Sequence, residues 1–139
     1  MTFNPDPKAM SHSETAAKNL VFRRVNLIDD LPQDIDTPHG LITSIPYTVE
    51  TNDIAVFALQ QHSSDEFFKR GKDQFDRLYQ ESLDNARVMA ISVHPYITGV
   101  PHRIRYLEQL LDYIDSHEDV AWMTASEIGD WYRAAMKRI

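Results

Sequence analysis

Two short stretches of this chain have almost no polar side: residues 87–93 (RVMAISV) and 120–123 (VAWM). Strands of that kind are covered on both faces, the condition of a sheet with helices above and below rather than of a ribbon with one wet face. Helical periodicity flanks each of them. Upstream, Phe67, Phe68, Phe75, Leu78 and Tyr79 fall on one side of a helix expected over 63–83, which opens with Ser63 three residues ahead of Glu66, the pattern of a capping box. Gly71 lies on the same stripe, where a neighbouring element is expected to come close. Between the two strands, Ile104, Leu107, Leu110, Leu111 and Ile114 repeat at three and four behind Pro101, an apt first helical residue, and the helix fades at Ser116 and His117. After the second strand, Thr124 and Glu127 form another capping box. It starts a helix whose apolar face is Ile128, Trp131, Tyr132, Ala135 and Met136.

The order helix, strand, helix, strand, helix is the grammar of α/β folds with a parallel sheet or barrel, in which functional groups gather at the carboxyl ends of the strands. A closed (β/α) barrel takes about eight such units and about 250 residues. With 139 residues and three or four strands in view, the chain is expected to supply a small open sandwich or part of a barrel. Residues 41–47 read as one more short strand. Residues 29–40 (DDLPQDIDTPHG) carry two prolines, a glycine and four aspartates, which is loop chemistry. Ahead of them the first twenty residues read as a loose tail, and 20–28 as ambiguous, so the expected division is a tail over 1–28 and a domain over 29–139.

Charge and composition narrow the function. Lys and Arg number 14 against 21 Asp and Glu, a net charge of -7, so neither nucleic acid nor an anionic membrane surface is an expected partner. There are no cysteines, which removes a thiolate metal site and a cysteine nucleophile together. No apolar run reaches a membrane span of roughly 18 residues, and the start has no signal-peptide core. A cytoplasmic location is the expectation.

The chemistry points to residues 92–96, Ser92-Val93-His94-Pro95-Tyr96, at the end of the clearest strand. His94 would project there onto the functional face, and histidine is the side chain best able to exchange protons near neutral pH. A plainer role, a buried ring bonded to a backbone carbonyl, fits the position at least as well. Glu50, Asn52 and Asp53 form a second polar cluster that could orient a histidine, contact a substrate, bind a cation or simply cap a turn. His102 and Arg103, at a helix start, could meet a carbonyl or an anionic group or merely decorate the helix end. The six histidines include no pair at helical i, i+4 spacing, so no metal site is expected from this chain alone. Walker, Gly-rich dinucleotide and G-x-S-x-G motifs are lacking.

Taken in order, Asp29-Asp30-Leu31-Pro32, Thr37-Pro38-His39-Gly40, the run Ile45-Pro46-Tyr47-Thr48-Val49-Glu50-Thr51-Asn52-Asp53-Ile54, then Met89-Ala90-Ile91-Ser92-Val93-His94-Pro95 and Pro101-His102-Arg103-Ile104-Arg105-Tyr106-Leu107 resemble the C-terminal half of polysaccharide deacetylases of the NodB-homology type, nearest to their urate-catabolism allantoinase-like branch. The resemblance covers about 29–132. It implies a distorted (β/α) barrel that hydrolyses non-peptide C–N bonds, either amides of amino sugars or related ureides. Many members hold a divalent metal such as zinc with an Asp and two His, and some of this branch are thought to work without it. Those metal and base motifs have no counterpart in residues 1–28, and Asn26 to Ile28 and Gln33 stand where the branch usually has a Trp and an aromatic. The resemblance makes His94 the late histidine that protonates the leaving amine, or orients the acid that does.

Two main readings follow. In the first the chain is the acid-side part of an amide hydrolase, with His94 catalytic, Glu50, Asn52, Asp53, His102 and Arg103 contacting a small-molecule or amino-sugar amide, and no cofactor of its own. In the second it is a non-catalytic remnant or subunit that pairs with itself or with a complementary chain. A small independent α/β binding module is a third.

Overall fold

The computed structural model describes residues 19–22 as backbone, 32–83 and 86–136. In chain order the elements are β1 (Asn19–Phe22), β2 (Gln33–Thr37), β3 (Gly40–Ser44), a short π-wound helix α1 (Ile54–Leu59), α2 (Glu66–Glu81), β4 (Val88–Ala90), α3 (Pro95–Thr98), α4 (Ile104–Asp115), β5 (Val120–Met123) and α5 (Ala125–Met136). Residues 1–18 of the expected tail, 23–28 of the ambiguous stretch and the motif residues Asp29, Asp30 and Leu31 lie outside the described residues.

The second half follows the hydrophobic period. Phe67, Gly71, Phe75 and Leu78 of α2 are buried, as are Leu110 and Ile114 of α4. The two helices cross at Gly71, where a Cβ would overlap Leu110 Cδ2 and stand 3.3 Å from its Cγ. Val56 and Phe57 of α1 and Met89 of β4 complete this core. Tyr113 donates to Asp76 Oδ1 at 2.7 Å, which joins α4 to the flank of α2. At the start of α5 the Thr124 hydroxyl and backbone N–H both donate to Glu127 Oε2 (2.8 and 2.6 Å), while the Glu127 N–H donates to Thr124 Oγ1 at 3.3 Å. The expected box therefore closes. Its counterpart at α2 does not: the Ser63 hydroxyl donates to Asp65 Oδ1 at 2.5 Å, and Asp65 occupies the cap position. The bonds from Lys69 and then Ser63 hold the Asp65 carboxyl down to about 2.

Three further features depart from the sequence reading. The strands β4 and β5 run in the same direction, but β1 lies between them and is antiparallel to both, with Leu20 opposite Met89 on one side and Trp122 on the other. An apolar run reports that both faces are covered; it carries no information about the direction of the strand beside it. Asn19 and Leu20, at the end of the expected tail, belong to this strand. Second, Val88, Met89 and Ala90 are all buried as expected, whereas β5 is only half-buried and Ala121 is exposed. Third, 33–37, read as loop, is a strand paired with β3 in a hairpin, with Ile35 opposite Ile42. Its aspartates disguise it. Thr43 donates to Asp34 Oδ1 across the pair at 2.7 Å, and Gly40 takes the positive φ of 116° that the tight turn at Pro38-His39 needs.

Candidate active site

Beyond β4 the chain is held by a parallel bridge rather than by a full strand. The Ser92 N–H donates to the Thr51 carbonyl at 3.0 Å and the Asp53 N–H to the Ser92 carbonyl at 3.1 Å, while the Thr51 hydroxyl reaches the Ala90 carbonyl at 2.6 Å. These bonds lay residues 51–53 alongside 90–92. Three residues after Ser92, Pro95 ends the extended segment and starts α3, with His94 at its cap position. Pro95 does more than stop the strand, because its fixed φ suits a first helical residue.

The bridge places Asp53 directly under His94. Asp53 is fully buried, and both of its carboxylate oxygens are engaged. Oδ2 accepts from the His94 backbone N–H at 2.6 Å and from the Thr98 hydroxyl at 2.7 Å. Oδ1 lies 2.7 Å from His94 Nδ1. An ionised carboxylate can only accept, so Nδ1 carries the hydrogen and Nε2, on the side of the ring away from Asp53, is left for exchange. The His94 side chain keeps 34% of its surface open. Its ring meets the exposed Tyr96 edge-on, with centroids 5.5 Å apart. A buried carboxylate orienting a half-open imidazole is an arrangement suited to moving one proton at Nε2.

The other expected site residues are dispersed around this pair. Asp53, named from the sequence among the substrate contacts, is 0% exposed with both oxygens bonded to His94 or Thr98, and it stands behind the histidine. Asn52 is engaged in a turn. Its Oδ1 accepts the Ile54 N–H at 2.9 Å and its amide donates to Tyr47 Oη at 2.8 Å. Glu50 is exposed and lines a shallow groove with Glu66, Lys69, Arg70, Asp73 and Gln74 of α2, none of which belongs to the His94 cluster. Arg103 lies over the Phe57 ring, 4.5 Å from its centroid, and donates to the Ile97 carbonyl at 3.2 Å, which ties the end of α3 to the start of α4. His102 is exposed in the turn before α4. Thr98, buried and bonded to Asp53, is the member of the cluster that sequence reasoning missed. It stands 45 positions from Asp53 in the chain, and no spacing rule connects them.

Among the described residues no group of three His, Asp or Glu side chains is arranged to hold a metal ion. The Asp53 oxygens already accept three hydrogens, so the divalent metal implied by the family resemblance does not fit this cluster.

No family model matches the chain. Individual relatives do. A Schizosaccharomyces pombe protein named as a polysaccharide deacetylase is 37% identical over 92 residues, 65% of this chain and 29% of that protein. A Helicobacter pylori peptidoglycan deacetylase is 38% identical over 58 residues, 42% of this chain and 19% of its own. A crystal structure of Puue allantoinase superposes with a TM-score of 0.67 at 34% identity, over 76% of this chain and 36% of the other. This is part of a NodB-type deacetylase fold. A Pseudomonas aeruginosa protein named as a probable polysaccharide deacetylase agrees, with a TM-score of 0.66 at 33% identity and the same coverage. The chain spans less than a third of the length of the curated NodB-type relatives it matches. No helix among the described residues is long and apolar enough to cross a membrane.

Proposed function

We propose that the chain supplies the proton-donating part of a hydrolase acting on non-peptide C–N bonds, with an amide of an amino sugar or a related ureide as substrate. The observation that carries this reading is the buried Asp53 carboxylate bonded to Nδ1 of a half-open His94 (2.7 Å). In amide hydrolysis a water oxygen adds to the carbonyl carbon, and the C–N bond breaks only as the departing nitrogen receives a proton. The imidazolium of His94 gives that proton from Nε2 and is left neutral with its hydrogen on Nδ1, the form Asp53 holds. Activation of the water and polarisation of the carbonyl need groups beyond this cluster, and the reading assigns them to a complementary segment or chain. The exposed hairpin residues Ile35, Leu41 and Ile42, with Tyr47 and Val49 after them, favour such pairing, with a second copy or a complementary chain as the partner.

The test is complementation. The purified chain is expected to release no acetate from chitooligosaccharide, with or without zinc, cobalt or manganese, and to restore turnover when mixed with the segment of a polysaccharide deacetylase that it does not match. Failure to restore turnover, by a mixture shown to associate, overturns the reading.

A further inference from the structure

Residue Thr98 makes an unusual choice of hydrogen-bond partner. A helical threonine ordinarily turns its hydroxyl onto the carbonyl three or four residues back. Here those carbonyls belong to Pro95 and His94, and both already accept backbone hydrogens, Pro95's from Gly99 and His94's from Ile97 and Thr98, all at 2.9 Å. The hydroxyl goes instead to Asp53 Oδ2 at 2.7 Å. Thr98 is only 2% exposed, so no water is at hand to replace this bond.

We propose that Thr98 is a positioning residue for His94, acting by fixing the rotation of the Asp53 carboxylate. The His94 backbone N–H and the Thr98 hydroxyl both donate to Oδ2 (2.6 and 2.7 Å). Two donors on one oxygen set the plane of the group and leave Oδ1 aimed at His94 Nδ1. The four-residue helix α3 is what makes this possible, since it starts at Pro95 and brings position 98 back over the same carboxylate. Gly99 then closes the turn, where any Cβ would overlap the Pro95 carbonyl oxygen. With only one donor on Oδ2 the carboxylate can turn about its Cβ–Cγ bond, and the ring loses its reason to keep the hydrogen on Nδ1.

This inference rests on the proton-donating role proposed for His94, but its test reads the ring itself and needs no turnover. The tautomer of His94 is measured by nitrogen-15 NMR of the imidazole in the full chain, at a pH where the ring is neutral. The wild-type chain is expected to show hydrogen on Nδ1. Thr98→Val, which keeps the shape and loses the hydroxyl, is expected to raise the ratio of Nε2–H to Nδ1–H by roughly tenfold, the equilibrium value of one hydrogen bond to a charged group. Thr98→Ser is expected to restore the wild-type ratio. A folded Thr98→Val chain with the wild-type tautomer overturns the proposal, and so does a serine variant that fails to restore it. Should the valine variant not fold, the wild-type chain still decides: a Thr98 hydroxyl proton protected from exchange and close to the His94 amide proton supports the proposal, and its absence overturns it. Inactivity of the complemented enzyme with an intact Nδ1–H tautomer would count against the hydrolase reading alone.

Discussion

Replacing Asp53 separates a carboxylate that organises its surroundings from one that merely fills space. Asp53→Ala removes the acceptor of three hydrogens: the His94 backbone N–H, the buried Thr98 hydroxyl and the His94 Nδ1–H. The last belongs to a ring that is 34% open and can turn to water. The first two are left without a partner, and each orphaned buried donor costs about 1–3 kcal/mol. Removing a buried ionised group returns part of that, so a net loss of about 3 kcal/mol is expected, near the lower figure for breaking a buried charged pair. At roughly 4 °C per kcal/mol for a domain of this size, the thermal midpoint should fall by about 12 °C. Asp53→Asn keeps an oxygen for the two Oδ2 donors and turns its NH₂ toward Nδ1, so it should lose only about 1 kcal/mol, or about 4 °C. It also forces the ring to accept at Nδ1 and so moves the ring hydrogen to Nε2. Thermal and urea unfolding of the three proteins, with an unchanged urea slope to show that the same surface is exposed, measure the difference. Equal losses for alanine and asparagine, or an alanine loss below about 1 kcal/mol, would refute the reasoning.

Other expectations concern the scaffold. Burial acts to raise the Asp76 carboxyl, but the bonds from Lys72 and Tyr113 outweigh it and hold the group below its ordinary value of 3.8; its stabilising contribution is therefore full at neutral pH and lost as pH falls below about 4. The melting difference between wild type and Asp76→Asn should shrink over that acid range, and a difference constant with pH would contradict the assignment. Gly71→Ala forces Leu110 to move in a filled core and should destabilise by about 1–3 kcal/mol, with Leu110→Ala in the same chain relieving part of the loss; independent, additive losses would mean that the helices do not meet there. Light scattering during size exclusion at micromolar concentration should show a dimer or larger species, held by apolar surface on the hairpin, and a monodisperse 16.1 kDa peak would remove the pairing proposal.

What was legible in the sequence divides along physical lines. Helices α2, α4 and α5 and the buried strand β4 were visible because burial of one stripe or of both faces writes a period into the residues. β1 was not, because its pairing is decided by distant partners, and β2 was not, because Asp34 finds its partner across the hairpin as readily as it would in a loop. α1, with apolar residues throughout (IAVFAL), has no period to read. His94 could be singled out from its place after a strand. The role of Asp53 could not, since turn-forming Asn52 and buried Asp53 are adjacent acceptors in sequence and differ only in what the bridge to Ser92 sets above them. Thr98 left no mark at all, because a helical threonine four residues after a histidine is ordinary until its carbonyl partner is found to be occupied.

In the proposed reaction His94 delivers a proton from a ring held by Asp53. Turnover of chitooligosaccharide by the complemented enzyme carrying His94→Ala, beside His117→Ala as a control, measures that step. His117 packs at the end of α4 against Phe75, Tyr79 and Tyr113, away from Asp53. Loss of a positioned proton donor should lower kcat by roughly 10²- to 10⁴-fold, while the His117 variant, once shown to be folded, keeps kcat within a few-fold of wild type. Equal effects of the two substitutions, or a His94→Ala enzyme with undiminished kcat, would contradict it.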